Sequence, residues 1–195
     1  MAKTERRTPD ETRERLVTSA SFLFNRDGFH GTDSNKIARH AGFAPGTFYK
    51  YFADKKAAFL AVYERWAASD WEAVSNVLSS SSTRGEIASG LVALQIEAQR
   101  GWHGFRASLG TLTGDPDVRA LRRDHRTRHL ELIASLREQA GGPKKSREQD
   151  ALLLFTLERG CDALADFEAT DLRLSEKALV RELEALLEKE IGKGR

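Results

Sequence analysis

Hydrophobic positions recur along nearly the whole chain at a period of 3.6 residues, and β-branched alternation is almost absent. That pattern predicts an all-α protein. The first helix is announced by Thr8-Pro9-Asp10-Glu11, which offers a threonine cap, proline at the first helical position and a glutamate three residues after the cap. Leu16, Ala20 and Leu23, flanked by Val17 and Phe24, form its apolar face, and Gly28 ends it. Two short helices are predicted next, one over about 34–41 stopped by Gly42 and one from Pro45 to about Phe52. A long helix starts near Asp54–Lys55, carries Phe59, Leu60, Val62, Tyr63 and Trp66, and breaks at the serine run 79–82. Further helices are expected at roughly 84–100, 103–113, 117–140, 147–168 and 175–191. Gly101, Gly114-Asp115-Pro116, Gly141-Gly142-Pro143 and the 170–174 stretch separate them.

Helices as short as the pair at 34–52 are not stable alone, so they must pack on each other and on their long neighbours. Their pattern fits a helix-turn-helix. Ile37 and Ala41 point inward, small Ala38 allows close approach, Gly42 turns the chain, and Phe43 plugs the core behind the turn. Phe48 and Phe52, four residues apart, form the buried stripe of the second helix, which leaves Gly46, Thr47, Tyr49, Lys50 and, at the margin, Tyr51 outside. A core takes phenylalanines but rejects tyrosine hydroxyls and a lysine, so this outer face meets something polar. Charge narrows what that is: residues 1–56 carry 11 Lys/Arg against 7 Asp/Glu, whereas the remainder carries 20 against 22. A basic head on a near-neutral body suits an anionic partner, and a presented helix with hydroxyls and a lysine suits the DNA major groove. Lys55, at the start of the next helix, sits beside backbone amides in an arrangement suited to gripping a phosphate.

Residues 10–63 resemble the N-terminal domain of the tetracycline-repressor (TetR) family of bacterial transcriptional regulators. The matching text is A-x-x-L-F-x-x-x-G-F from Ala20 to Phe29, G-T at Gly31-Thr32, I-A-x-x-A-G at Ile37–Gly42, and G-T-F-Y-x-Y-F-x-x-K at Gly46–Lys55. The resemblance implies an N-terminal three-helix DNA-binding domain over 9–69, with the helix-turn-helix at about 33–52. A long helix would join it to a helical ligand-binding and dimerisation domain over 70–195. It further implies that Ser34 and Asn35 start the helix crossing the DNA backbone. Pro45, Gly46, Thr47, Tyr49, Lys50 and Tyr51 would line the recognition helix, and Lys55 matches the family's phosphate-contacting lysine. Ala44 departs from the serine that commonly caps this helix, at a cost on the order of 1 kcal/mol, partly offset by Pro45. Lys50 stands where many relatives carry an aromatic or histidine; a lysine there favours guanine.

Beyond this head the residues speak less directly. Leu179, Leu183, Leu186 and Leu187 form a stripe on the last helix, and Leu153, Leu157 and Leu164 form another on the helix before it. Two such helices suit a four-helix homodimer interface, although the same stripes also suit packing within one chain. Trp66, Trp102, Phe105 and Phe155, with His103 to orient a polar group, are the candidate walls of a cavity for a largely apolar small molecule. His125 and His129 lie four residues apart, but their arginine-dense surroundings point to a solvated charged face, so no metal is expected. No cofactor or catalytic constellation is expected either: HExxH, P-loop and GxSxG motifs are missing, and the lone Cys161 has no basic pair beside it. The single cysteine, the polar opening MAKTERRTPDE and the lack of a long apolar run suit a cytoplasmic protein with no membrane partner. The expectation is a homodimeric, ligand-responsive repressor that a small molecule releases from a pseudo-palindromic double-stranded operator. An activator of the same family and, in another class, an all-helical enzyme or carrier are the alternatives.

Overall fold

The computed structural model describes residues 8–191, so the opening residues read above against a secretory leader lie outside it. Among the described residues ten helices follow one another: α1 Pro9–Gly31, α2 Ser34–His40, α3 Pro45–Phe48, α4 Lys55–Ser80, α5 Arg84–Gly101, α6 His103–Thr111, α7 Pro116–Gln139, α8 Arg147–Ala165, α9 Glu168–Asp171 and α10 Glu176–Glu190. No strand occurs among the described residues, and none of their helices is long and apolar enough to cross a membrane. The chain divides into two compact units. The first runs through Trp66 and adds Gly104–Arg119; the second comprises Ala67–His103 and the chain from Ala120 onward.

In the first unit, α1 carries the predicted cap: Thr8 and Glu11 each accept the other's backbone N–H. Leu16, Val17, Ala20, Leu23 and Phe24 are all buried. Gly28 interrupts α1 at φ 73°, a left-handed value glycine adopts without penalty, and one further turn follows to Gly31. The segment 104–119 belongs here because Phe105 completes an aromatic core. Its ring stacks on Phe59 at 4.5 Å, and Phe59 in turn meets Phe24 edge-on at 5.1 Å. Two hydrogen bonds fix the register: Phe105 N–H donates to Asn25 Oδ1 at 3.1 Å, and Phe29 N–H donates to Ser108 Oγ at 2.8 Å. The expected boundary at residue 69 assigned this segment to the second domain; nothing in the 3.6-residue period of α6 reveals which core its aromatic joins.

The second unit packs α5 against α8 and α10. Ala88, Val92 and Ile96 of α5 meet Cys161 and Leu164 of α8 and Leu187 of α10, with Ile191 just beyond it. Gly160 lets α8 and α10 approach closely, since a Cβ there would lie 2.6 Å from Leu183 Cδ2. Helix α8 ends at Ala165, earlier than its period suggested, because Phe167 takes a left-handed φ of 63° and starts the short α9. A bulky residue pays for that conformation, and no pattern of hydrophobicity announces it.

The tightest approach in the first unit yields a direct test. An ideal Cβ on Gly104 would lie 1.8 Å from the backbone oxygen of Asn25, which cannot swing away. Gly104→Ala is expected to destabilise the protein by about 3 kcal/mol or more, as overpacking against backbone does. A thermal midpoint within about 1 °C of the parent's, measured by circular dichroism, contradicts this packing.

Candidate nucleic-acid interface and internal cavity

The helix-turn-helix is built from side chains that bury and backbone that turns. Ile37 and Ala38 of α2 and Ala41 beyond it are buried, and Phe48 and Phe52 are buried below the second helix. Gly42 turns the chain at φ +80°, and Phe43 N–H closes the turn on Ala38 O at 2.9 Å. Helix α2 is capped by Asp33, whose Oδ1 accepts Lys36 N–H at 2.8 Å. The sequence carried this signal, an aspartate directly before the helix, ahead of Ser34. Ala44 gives α3 no side-chain cap, as its methyl dictates.

Helix α3 is shorter than expected. Past Phe48 the backbone tightens into bonds three residues apart, Lys50 N–H to Thr47 O at 3.2 Å and Tyr51 N–H to Phe48 O at 3.0 Å. The presented stretch is therefore one helical turn followed by a tight turn. On it Pro45, Gly46, Tyr49 and Lys50 are exposed, whereas Thr47 and Tyr51 are half-buried; on α2, Asn35 is exposed and Ser34 half-buried. A Cβ added to Gly46 would meet nothing within 4 Å. The fold itself does not require that glycine.

Lys55 is placed differently from the expected phosphate grip. Its Nζ donates to Phe29 O at 2.7 Å and to Thr32 O at 2.9 Å, and lies 4.2 Å from the centre of the Phe29 ring. The ammonium thus fastens the start of α4 to the α1–α2 connection, with two of its three donors committed inside the domain. Lys56 is likewise engaged, pairing with Asp115 at 3.2 Å and Asp117 at 2.8 Å.

The five residues taken as ligand walls are divided between the two units. Phe105 is core of the first unit, and Trp66 packs beside Tyr63 there, ring centres 5.4 Å apart. In the second unit Trp102 closes the end of α5, its N–H bonded to Ala98 O at 3.1 Å. His103 is exposed, with Nδ1 3.1 Å from Asp166 Oδ1, and Phe155 is half exposed beneath the Arg126 guanidinium. The second unit holds a partly open cavity of about 90 Å³. Its walls are mostly aliphatic, among them Leu91, Leu132, Leu136, Leu154 and Leu157, and none of the five expected residues lines it. The lining leucines of α7 were legible as a stripe interleaved with arginines, but an aliphatic stripe alone does not distinguish wall from core.

One end of this cavity is polar. His125 and His129 line it, and each places Nε2 3.6 Å from Oδ2 of the buried Asp70. The histidines are therefore not on a solvated face: their side chains are only 14% and 18% exposed. Burial, then the neighbouring His129, Arg128 and Arg126, push the His125 imidazolium down to about 4, so its ring is neutral at neutral pH. Burial also raises the Asp70 carboxyl above its ordinary range, partly opposed by His129. Arg126, which should repel a cation, is held by Glu158 through two bonds of 3.0 and 2.5 Å. Cys161, buried in the same wall, has its thiol pushed up to about 12 by burial and nearby acids, which removes it as a nucleophile.

The leucine stripes meant for a partner chain pack largely on their own. Leu164 and Leu187 are buried core, with Leu157, Leu179 and Leu183 packed against it. Leu153 is buried in a second cluster that Leu186 covers. Large apolar side chains left outside are others: Leu152 (68% exposed) and Phe155 (49%) on α8, and Phe167, Leu172 and Leu174 after it.

Residues 16–62 match the family described as bacterial regulatory proteins, tetR family. The chain is similar to the uncharacterized HTH-type transcriptional regulator YdgC of Bacillus subtilis, at 41% identity over 49 residues. That match spans 25% of each protein, so the chain aligns with a quarter of this relative's length. Over nearly its whole length it shares the fold of the fatty acid degradation regulator FadR from Bacillus halodurans, with a TM-score of 0.70 at 18% identity, covering 94% of this chain and 96% of that one. It also shares the fold of a TetR-family transcriptional regulator from Streptomyces coelicolor, with a TM-score of 0.73 at 18% identity, covering 93% and 95%. The helix-turn-helix segment of this chain thus matches the tetR family of bacterial regulatory proteins, and the chain as a whole has the fold of these solved regulators.

Proposed function

We propose that this protein is a homodimeric transcriptional repressor whose helix-turn-helix holds a two-fold symmetric DNA operator until a small molecule enters the second unit. The observation that carries the reading is the exposed run Pro45, Gly46, Tyr49 and Lys50, held on a turn whose other side is the buried Phe48 and Phe52. Apart from the edge of the Tyr49 ring against Phe48, these side chains stand outside the core. They suit a groove in which hydroxyls and an ammonium meet phosphates and base edges, and Lys50 suits guanine. With Lys55 tied to carbonyls, Lys50 is the lysine of this segment best disposed toward DNA, while Ser34 and Asn35 open α2 beside it. A single head presents few side chains, so selection of a site requires two heads at fixed separation.

The effector in this reading is a small, largely aliphatic molecule, matched to the leucine-lined cavity. It acts by binding one conformer more tightly than the other, and that difference in affinity sets how far the DNA-bound population shifts. The dimer face is the outer side of α8, where Leu152 and Phe155 stand exposed, rather than the leucines that cover the chain's own core.

Three outcomes test these assignments. Gly46→Ala adds a methyl where the protein leaves open space, so the thermal midpoint should hold or rise slightly while operator affinity falls about tenfold or more, from a blocked close approach. Unchanged affinity in a fluorescence-anisotropy titration removes this segment from the interface.

Lys55→Met should lower stability by about 1–3 kcal/mol by releasing two charge-assisted bonds. The slope of log affinity against log salt should stay at the parent's value; a slope reduced by about one unit restores Lys55 as a phosphate contact.

Leu152→Glu with Phe155→Glu introduces charge on the outer face of α8 and should give a folded, helical chain of half the parent's mass by light scattering. Its DNA affinity should drop to the non-specific level. A double variant that stays dimeric places the interface elsewhere.

A further inference from the structure

We infer that Asp70, His125 and His129 form a binding site for a divalent transition-metal ion, of the zinc, nickel or iron class, at the polar end of the internal cavity. The three offer ligand atoms within 4.8 Å of one another: one carboxylate oxygen from α4 and two imidazole nitrogens from α7. Histidines four residues apart on a helix share one face, so both rings reach the same point. Two histidines and one carboxylate, with positions left open, form a donor set that borderline divalent metals take and that magnesium and calcium do not favour.

An unsatisfied oxygen faces the gap between these groups. Asp70 Oδ2 is fully enclosed and has no hydrogen-bond partner, in a residue only 7% exposed. An enclosed carboxylate oxygen without a donor is costly, and proteins rarely keep one without a reason. The two Nε2 atoms face it at 3.6 Å, beyond hydrogen-bonding distance. His129 cannot readily supply the missing proton from Nε2. Its Nδ1 lies 3.0 Å from the carbonyl oxygen of His125, which only accepts, so Nδ1 carries the hydrogen and the Nε2 of a neutral ring carries a lone pair. A lone pair and a carboxylate oxygen pointed at each other repel.

A cation between them removes the conflict. Two donors each about 2.1 Å from one ion lie about 3.6 Å apart when they subtend roughly 120° at it, so the two Asp70 distances already match bonding through a common metal. Closing the remaining separation asks only for small ring rotations. The Nδ1–H to carbonyl bond of His129 is the outer support that commonly fixes the tautomer of a ligating histidine. The Trp71 ring stands edge-on to His129 at 6.0 Å and limits how that ring turns. The arginines crowding the sequence here are the apparent objection, but one of them, Arg126, is already neutralised by Glu158. Because the two histidines belong to the cavity wall, the ion's remaining positions open into the cavity. There they would hold water or an anionic group of a bound molecule, and the site needs no such molecule to fill.

The test uses the full-length protein stripped with a chelator and dialysed against Zn²⁺, Co²⁺ or Mg²⁺. The parent should retain about one zinc per chain by mass spectrometry of the metal, gain several degrees in thermal midpoint with zinc, and show no such gain with magnesium. With Co²⁺ it should show a visible absorption band, the signature of imidazole ligation in a low-coordinate site. His125→Gln with His129→Gln should abolish all three responses. Asp70→Asn should lose the retained zinc while raising the midpoint of the chelator-treated protein, since it removes the stranded charge. The inference is overturned if the parent retains less than about 0.1 zinc per chain, a result that needs no variant to fold. It is overturned equally if the double-histidine variant retains as much as the parent.

Discussion

The burial of Phe48 is the interaction on which the presented surface depends. A four-residue helix has no stability of its own, and α3 lacks even a side-chain cap. What holds it in place is one fully enclosed phenylalanine, with Phe52 beside it at 5.4 Å between ring centres. Losing such a side chain costs about 3–5 kcal/mol, a large part of a domain's stability, so the outward residues of this segment are fixed at the expense of the inward ones. The same logic explains the aromatic density here. The rings below anchor, and Tyr49 and Lys50 above stand exposed.

The lysine clasp extends that constraint to the neighbouring helices. Lys55 binds the carbonyls of Phe29 and Thr32, while Thr32 itself is buried and donates its hydroxyl back toward α1. A cation at a helix start is ordinarily unfavourable against the backbone dipole, and here two carbonyls and an aromatic face compensate it. Position and composition suggested a phosphate contact; only the folded chain shows two carbonyl oxygens within reach.

Much of the architecture was legible from periodicity and caps. The Thr8 and Glu11 capping box, the glycine turn at Gly42, the long α4 and the α5 to α8 succession all follow from local signals, which dominate where a helix has a clear face and a clear stop. What failed was whatever depends on distant residues. Phe105 reads as a cavity wall until Phe59 is found stacked on it. Leu183 reads as an interface residue until Gly160 is found against it. Asp70 is an unremarked acid in a helix until two histidines from α7 close over it. Backbone exceptions escaped for another reason: the left-handed Phe167 has no compositional signature, and it ended α8 early. The interface residues Pro45 to Tyr51 were legible because a helix-turn-helix is a local motif, whereas a cavity is assembled from helices far apart in sequence.

The second unit places a carboxylate and two imidazoles at the edge of a cavity lined mostly by aliphatic side chains. Such a group is expensive to keep, and the cavity it borders is where a binding event has most to gain. The central claim nonetheless concerns the head. It is tested most directly by selecting DNA from a random-sequence pool with the intact protein at near-physiological salt, then sequencing what is retained. The account predicts enrichment of a single two-fold symmetric sequence whose half-sites share a guanine-containing core and lie about one helical turn or somewhat more apart. Retention of the pool without enrichment, or enrichment of a sequence with no inverted symmetry, would contradict it.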